Sequence, residues 1–293
     1  MQCSVIVPTY NRSKLLALTL NSLAKQNFAP QQYEVIVIDD GSTDNTEALV
    51  KSYQGKMTIS YFYQEDEGYR VAKARNIGIK HAQGDICIFV DSGVIASKNF
   101  VAEHWQAHQK ADNLAVCGYV YCFNEDNEDA KDIIRLIDVT KPDETIHYLR
   151  EHQQYLDIRE SFYHRYGEEL HKLKAPWLVF WTGNVSAKRV QLIKIGLFDE
   201  HFTAWGAEDV ELGYRLFQDG ARFELVRKAC VIHYPHEKSY QNNMQAATDN
   251  YHYFANKYNN AITHLIPHHH FDEINDIIES QQLAYSDKSV SNH

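Results

Sequence analysis

Five carboxylates stand where apolar runs give way to turns or to a helical stretch: Asp39, Asp40, Asp91, Glu208 and Asp209. Acids gathered at one edge of a fold suit two kinds of chemistry, holding a divalent cation or accepting a proton. An anionic nucleotide bound there would need a cation, or Arg and Lys side chains nearby, to offset repulsion. Adjacent carboxylates such as Glu208 and Asp209 also repel each other, which raises one pKa and makes a better base. Helix entry at Asp209 and Glu211 is the structural alternative, because acids favour a helix N-terminus in any case. Several familiar signatures are missing. There is no GxxxxGK, no GxGxxG after the first apolar run, and no GxSxG, which weakens a hydrolase reading.

These acids need a scaffold, and the first hundred residues alternate between strand-like and helix-like patterns. Residues 4–7 and 34–38 are β-branched runs, 59–63 is a third candidate, and 85–90 is a fourth. Between them, Leu15, Leu16, Leu20 and Leu23 repeat at helical spacing, Ser42 or Thr43 offers a cap for a helix through Tyr53, and residues 72–82 read as a helix. Continuous apolar strands separated by amphipathic helices predict a parallel sheet covered on both faces. Ligands of such sheets sit at the carboxyl ends of the strands. Here those ends carry Pro8-Thr9-Tyr10, Asp39-Asp40-Gly41 and Asp91-Ser92-Gly93.

Farther along, residues 124–132 hold five acids and one lysine and read as a solvated loop. Residues 133–174 are charged, rich in Tyr and His, and helical in tone. Residues 177–181 predict another buried strand, 223–233 a final strand pair, and the chain beyond Tyr240 polar helix with a frayed tail after Ser280. His268-His269-His270 reads as surface.

Composition narrows the class. The 293 residues are 44% hydrophobic and 23% charged, values of a globular protein rather than a disordered one. A formal charge of −10 argues against a nucleic-acid partner held by phosphate neutralisation. Five scattered cysteines without a CxxC pair suggest reduced, buried thiols in a cytoplasmic protein. No signal peptide is visible, and no apolar run approaches the roughly 20 residues of a membrane span.

Four segments carry a resemblance. Val5-Ile6-Val7-Pro8-Thr9-Tyr10-Asn11-Arg12, Val37-Ile38-Asp39-Asp40-Gly41-Ser42-Thr43-Asp44 and Ala74-Arg75-Asn76-Ile77-Gly78 resemble family 2 glycosyltransferases of the GT-A fold. Trp205-Gly206-Ala207-Glu208-Asp209-Val210-Glu211-Leu212-Gly213-Tyr214-Arg215-Leu216 looks like the C-terminal motif of galactosyl- and N-acetylgalactosaminyltransferases. The resemblance implies an α/β, GT-A, Rossmann-like, doubly wound and mostly parallel sheet with a helical insertion and a helical C-terminal extension. It implies one domain over 1–293: a nucleotide-sugar-binding half at 1–123, the insertion at 124–176, an acceptor and catalytic half at 177–239, and the extension at 240–293. The implied reaction is an inverting transfer from a UDP-sugar, galactose or N-acetylhexosamine favoured, to a hydroxyl of a glycan, peptide or small metabolite.

By the same resemblance Pro8 and Tyr10 line the base, Asp40 meets the uracil edge, and Arg70 contacts the nucleotide. Gly183 and Asn184 floor the donor-sugar pocket, with a simple turn as their alternative. Asp209 is the base, Glu208 binds acceptor hydroxyls, and Trp205 stacks on a sugar. The metal position departs from the family. Asp91-Ser92-Gly93 places Gly93 where the second Asp of Asp-x-Asp would hold Mn²⁺ or Mg²⁺, leaving Asp91 and the late histidine His233, with His236 three residues on, as candidate ligands. Losing a hard oxygen donor weakens Mg²⁺ more than Mn²⁺. Sugar nucleotidyltransferase and non-catalytic nucleotide-sugar-binding protein are the alternatives. The insertion is expected to shape the acceptor site, so that its deletion would spare nucleotide binding and abolish transfer.

Overall fold

A computed structural model describes residues 1–123, 129–237 and 240–285. Most of the predicted acidic loop (124–128) and the tail from 286 lie outside the described residues. The elements run β1 (Cys3–Thr9), α1 (Ser13–Leu23), β2 (Tyr33–Asp39), α2 (Thr46–Lys51), β3 (Ile59–Tyr63), α3 (Val71–His81), β4 (Ile86–Phe89), β5 (Val94–Ala96), α4 (Phe100–His108) and β6 (Leu114–Tyr121). There follow α5 (Ala130–Leu136), α6 (Pro142–Glu151), α7 (Glu160–Tyr166), β7 (Val185–Lys188), α8 (Arg189–Lys194), α9 (Glu208–Gln218), β8 (Arg222–His233), α10 (Tyr240–Tyr258) and α11 (Ile274–Ser280).

One eight-stranded sheet has the order β3-β2-β1-β4-β7-β6-β8-β5. Pairs β1–β2, β1–β4, β2–β3 and β6–β8 are parallel, while β7 runs against both β4 and β6, and β5 against β8. Six strands therefore point the same way. Their carboxyl ends bring Thr9, Asp39, Tyr63, Phe89, Tyr121 and His233 to one edge.

Alternation along the strands explains the two covered faces. Ile6, Ile36, Ile38 and Phe89 join one apolar layer with Ala72 and Ile79, whereas Val5, Val7, Val35, Val37 and Ile88 join the other with Leu16, Leu20 and Leu23. Gly78 lets α3 lie directly on the sheet, since a Cβ there would come within 2.6 Å of Ile6 Cγ2.

Three sequence expectations need correction. Residues 177–181 are not a strand: Pro176–Val179 is a 3₁₀ turn, and Trp177 and Phe180 are enclosed by Tyr214, Phe254 and Phe223. A short apolar run signals burial without specifying backbone shape. Residues 223–233 are one strand rather than a pair, with the β6 register jumping from Gly118↔Val226 to Tyr119↔Cys230. The helix expected from Ser42 starts only at Thr46, because the Asp44 carboxylate accepts the Thr46 and Ser13 amides and draws the preceding residues into a turn.

The insertion also proves to be part of the core. Ile133, Ile146, Leu149, Phe162, Tyr163 and Leu170 pack into the same layer as β6 and the 3₁₀ turn. Arg159 and Asp157 are fully buried beneath them. Of the tyrosines in this region, Tyr148 is exposed, whereas Tyr163 is buried. Deleting this region would remove core rather than trim an acceptor site.

A buried polar network underlies β7. His104 Nδ1 lies 2.8 Å from Ser186 Oγ and Nε2 lies 2.9 Å from Asn184 Oδ1, and His108 Nε2 lies 2.9 Å from the same Ser186 Oγ. Two neutral rings protonated on Nε2 satisfy this arrangement with the single Ser186 proton. Burial depresses both pKa values, His104 to about 4 and His108 to about 3. Their stabilising contribution is thus complete above the unfolded value near 6.5 and is lost as pH falls towards 4, by at most about 1.4 kcal/mol per histidine per pH unit. NMR titration should find both imidazoles neutral in the native protein at pH 5.5; protonation of either above pH 6 would refute the network.

Candidate active site

The strand-end loops place their acids in different roles. Asp39 is spent on structure: Ser42 N–H donates to Oδ1 at 2.7 Å and the Tyr61 hydroxyl to Oδ2 at 2.7 Å. Asp40 accepts from Gln64 Nε2 and from the Arg70 amide at 3.0 Å, so it also ties down the loop before α3. Burial raises its pKa. Pro8 is buried within β1, and Tyr10 beside it is 44% exposed, its hydroxyl donating to Asp66 at 2.8 Å. Arg70 is half-buried at the start of α3.

A second constellation centres on Arg75, only 3% exposed on α3. Its Nη1 donates to Glu208 Oε1 at 2.8 Å and its Nη2 to Asp91 Oδ1 at 3.1 Å. Glu208 is buried, and its Oε2 has no hydrogen-bond partner. Next to it Asp209 accepts the Thr182 amide at 3.0 Å on Oδ2 and the Val210 amide at 2.8 Å on Oδ1. Gly183 borders Asp91, since a Cβ there would stand 3.9 Å from Asp91 Oδ2. Asp91, Arg75, Thr182, Gly183, Glu208 and Asp209 thus lie together at the edge of the sheet.

The charges in this group do not balance. One guanidinium faces Asp91, Glu208 and Asp209. Burial and the neighbouring Glu208 charge push the Asp209 carboxyl up to about 7, against the pull of Arg75 and the two amides. The Tyr69 phenol lies in the field of the same acids. A carboxyl poised near neutrality accepts a proton without being fully protonated beforehand, the condition for a general base.

Trp205 is 40% exposed on the loop before α9. The extension holds that loop: Asn250 Nδ2 donates to the carbonyls of Ala204, Trp205 and Gly206 at 3.0, 3.3 and 2.8 Å. Gly206, at φ +97°, lies so close to α10 that a Cβ would approach Ala247 Cβ to 3.0 Å.

Asn184 is the clear departure from expectation. It is fully buried, its amide donating to the Tyr119 and Ala229 carbonyls at 3.2 and 2.8 Å and its oxygen facing His104. No sugar hydroxyl can reach it, because holding β6, β7 and β8 together uses the whole side chain.

The candidate metal residues have protein contacts of their own. Asp91 is engaged by Arg75, Ser92 is buried, and Gly93 at φ +102° directs its missing side chain at Leu15. His233 ends β8 with its ring 5.0 Å from Phe123 and 5.2 Å from His236, whose Nε2 is 3.0 Å from Arg12 Nη1. Among the described residues no group of three or more His, Cys, Asp or Glu side chains converges to hold a metal ion. Mg²⁺-type ions are commonly held by one or two carboxylates together with substrate phosphates and waters, so Asp91 would hold such an ion only with the donor diphosphate completing its shell.

Sequence reasoning gave no role to Arg75, Tyr69 or Thr182. The signal for Arg75 was present: an arginine between Ala74 and Asn76 on the core side of a helix must find buried carboxylates. Thr182 meets Asp209 Oδ2 through both its amide and its hydroxyl, the latter at 3.3 Å, so its hydroxyl was the available signal. The insertion lines a separate cavity of about 650 Å³, bounded by Tyr121, Ile146, Arg150, Arg227 and Lys228, away from these acids.

Comparison with known proteins bears on this arrangement. The sequence model of glycosyl transferase family 2 matches residues 4–168, more than half the chain, and that described as the N-terminal domain of galactosyltransferase matches 164–238. Validoxylamine A glucosyltransferase of Streptomyces hygroscopicus subsp. limoneus is 38% identical over 263 residues, covering 89% of this chain and 58% of that protein. The uncharacterised glycosyltransferase YfnE of Bacillus subtilis is 33% identical over 285 residues, covering 89% of this chain and 71% of its own. The chain therefore spans less than two thirds of the validoxylamine relative. Residues 1–349 of Staphylococcus aureus TarS, crystallised with UDP-GlcNAc, share the fold at a TM-score of 0.63 and 20% identity, over 96% of this chain and 71% of that one.

Proposed function

This chain belongs to glycosyl transferase family 2, and from that premise we propose that it moves a hexosyl or N-acetylhexosaminyl group from a UDP-sugar to an acceptor hydroxyl with inversion at the anomeric carbon. The observation that carries this reading is Asp209, a carboxyl raised to about 7, held by two backbone amides and joined through Glu208 and Arg75 to Asp91. As the acceptor oxygen bonds to the anomeric carbon, its proton passes to Asp209. The bond from that carbon to the diphosphate oxygen breaks, and UDP leaves with the electron pair. Family membership favours this over a sugar nucleotidyltransferase.

Tyr10 and Asp40 bound the uracil site in this reading, Gly183 leaves room for the donor sugar beside Asp91, and Trp205 stacks on a sugar ring. Glu208, whose Oε2 has no partner, binds an acceptor hydroxyl in this reading. Glucose leads the donor candidates because the relative at 38% identity is named a glucosyltransferase. The acceptor is a glycan, peptide or small molecule. Five free, buried cysteines suit a reducing compartment such as the cytoplasm, and among the described residues no helix is long and apolar enough to cross a membrane. Arg70 and Lys73 are the cations nearest the start of α3 that can meet the diphosphate charge.

UDP release from UDP-glucose, UDP-galactose, UDP-GlcNAc and UDP-GalNAc, with Mn²⁺, with Mg²⁺ and with EDTA, tests the proposal. One donor should be hydrolysed or transferred well above the rest. The free protein should bind no Mn²⁺ at micromolar concentration by calorimetry, and any stimulation should appear only with donor present. Absence of both UDP binding and UDP release across the panel would sink the transferase reading, and micromolar Mn²⁺ binding by the free protein would overturn the metal argument.

A further inference from the structure

Arg75 and Asn76 join two parts of the chain that are far apart in sequence. Asn76 Nδ2 donates to the Phe198 carbonyl at 2.9 Å and to Glu200 Oε1 at 2.8 Å, and the Phe198 amide donates back to Asn76 Oδ1 at 2.8 Å. One residue earlier, Arg75 reaches Asp91 after β4 and Glu208 at the start of α9, with its guanidinium carbon 5.5 Å from the centre of the Phe198 ring. Its Nε has no partner, so the side chain is fixed by those two carboxylates and the ring. A planar fork can hold two carboxylates at a set angle, which a lysine cannot do. Asp209 follows Glu208 directly, so whatever fixes Glu208 fixes where α9 starts and where the proposed base points.

We propose that Arg75 is a positioning residue, holding Asp91 of the donor half and the first turn of α9 in a single register so that the base faces the anomeric carbon. This rests on the transferase reading above. Arg75 touches neither the acceptor proton nor the leaving group in this scheme. It acts through Glu208 and Asp91, and among the described residues its charge is the buried cation beside these three acids.

The test compares Arg75→Gln and Arg75→Lys with the parent enzyme on the donor identified by the UDP-release panel. Misplacing a reacting group by about 1 Å costs about 10²-fold in rate, so Arg75→Gln should lose about that in kcat, with the UDP dissociation constant changed less than about threefold. The groups acting on Asp209 are Glu208 on α9, Arg75 on α3, itself paired with Asp91, and the Tyr69 phenol. Removing the cation should therefore move the acidic limb of the kcat profile, and the Asp209 carboxyl titration followed by NMR, to higher pH. Arg75→Lys should restore the limb but only part of kcat.

A merely structural role would lower the melting temperature and leave the limb in place, and that result, or an unchanged kcat in folded Arg75→Gln, overturns the proposal. Where Arg75→Gln is not recovered folded, Arg75→Lys decides through kcat: a loss of about tenfold with donor KM near the parent value supports it, and parent-like kcat refutes it. An inactive parent enzyme would instead refute the transferase reading. The NMR titration of Asp209 in the Arg75 variants decides the positioning role without substrate.

Discussion

Asp209→Asn should lower kcat by about 10²–10⁴-fold, the range general-base catalysis supplies, while UDP binds within about twofold of the parent affinity. Asparagine keeps the shape but has a single acceptor oxygen, so it can accept only one of the Thr182 and Val210 amides, which bind different oxygens of the carboxylate, and its NH2 group faces the other donor. What is lost is the capacity to take the acceptor proton. In the parent enzyme kcat should rise with pH through about 7, the value to which burial and Glu208 push this carboxyl, and the variant should lack that limb. Stability moves in the opposite sense to activity. A carboxyl with a raised folded pKa stays protonated in the native chain between about 4 and 7, where the unfolded chain has already lost the proton. Its contribution favours the fold below that window and is lost as pH rises through 7. Asp209→Asn should accordingly melt above the parent at pH 8, with the gap closing towards pH 4. A fall in kcat of less than tenfold, in a variant that binds UDP normally, would remove Asp209 from the role of base.

The residue pattern carried the donor half well and the rest less evenly, for identifiable reasons. Strands β1 and β2 are continuous apolar runs long enough to be read, and the Leu16-Leu20-Leu23 spacing of α1 states its buried face directly. The run at Trp177 was misread because aromatic side chains packed on every side look alike in a strand and in a 3₁₀ turn. Strand β6 went unread although all its residues are buried, since Gly118 at its centre interrupts the apolar pattern. That glycine is required, because a Cβ there would stand 2.3 Å from the Asn184 amide.

The same pair explains the error at Asn184. Its neighbour Gly183 borders Asp91. One residue along a chain turning into a strand is enough to point a side chain the other way, and Asn184 faces β6 and β8. Arg75 shows the complementary difficulty. Its place in a helix was legible, but its two partners lie 16 and 133 residues away, a juxtaposition that only the fold creates.

Arg159→Leu should be among the most destabilising single changes in the chain, by about 3–5 kcal/mol, the cost of breaking a buried ion pair from one side. Arg159 donates from Nε and Nη2 to Asp157 at 2.9 and 2.7 Å, from Nη1 to the Val179 carbonyl at 2.8 Å and from Nη2 to the Gly118 carbonyl at 2.9 Å. Leucine would leave a fully buried carboxylate without its cation and two carbonyls without donors. The Asp157 bonds to the Val120 and Arg159 amides would remain but cannot neutralise the charge. For a chain of this size the loss corresponds to a drop of about 10 °C in melting temperature. Adding Asp157→Asn should recover part of it, because the orphaned charge disappears, and that coupling separates the ion pair from simple loss of packing. The consequence reaches function. This pair fastens the 124–176 segment to β6 and to the turn that leads into Thr182 and Gly183, so excising the segment should abolish UDP binding together with transfer, through loss of fold. A deletion variant that still binds UDP, or an Arg159→Leu protein that melts within 2 °C of the parent, would show instead that the segment is an appendage.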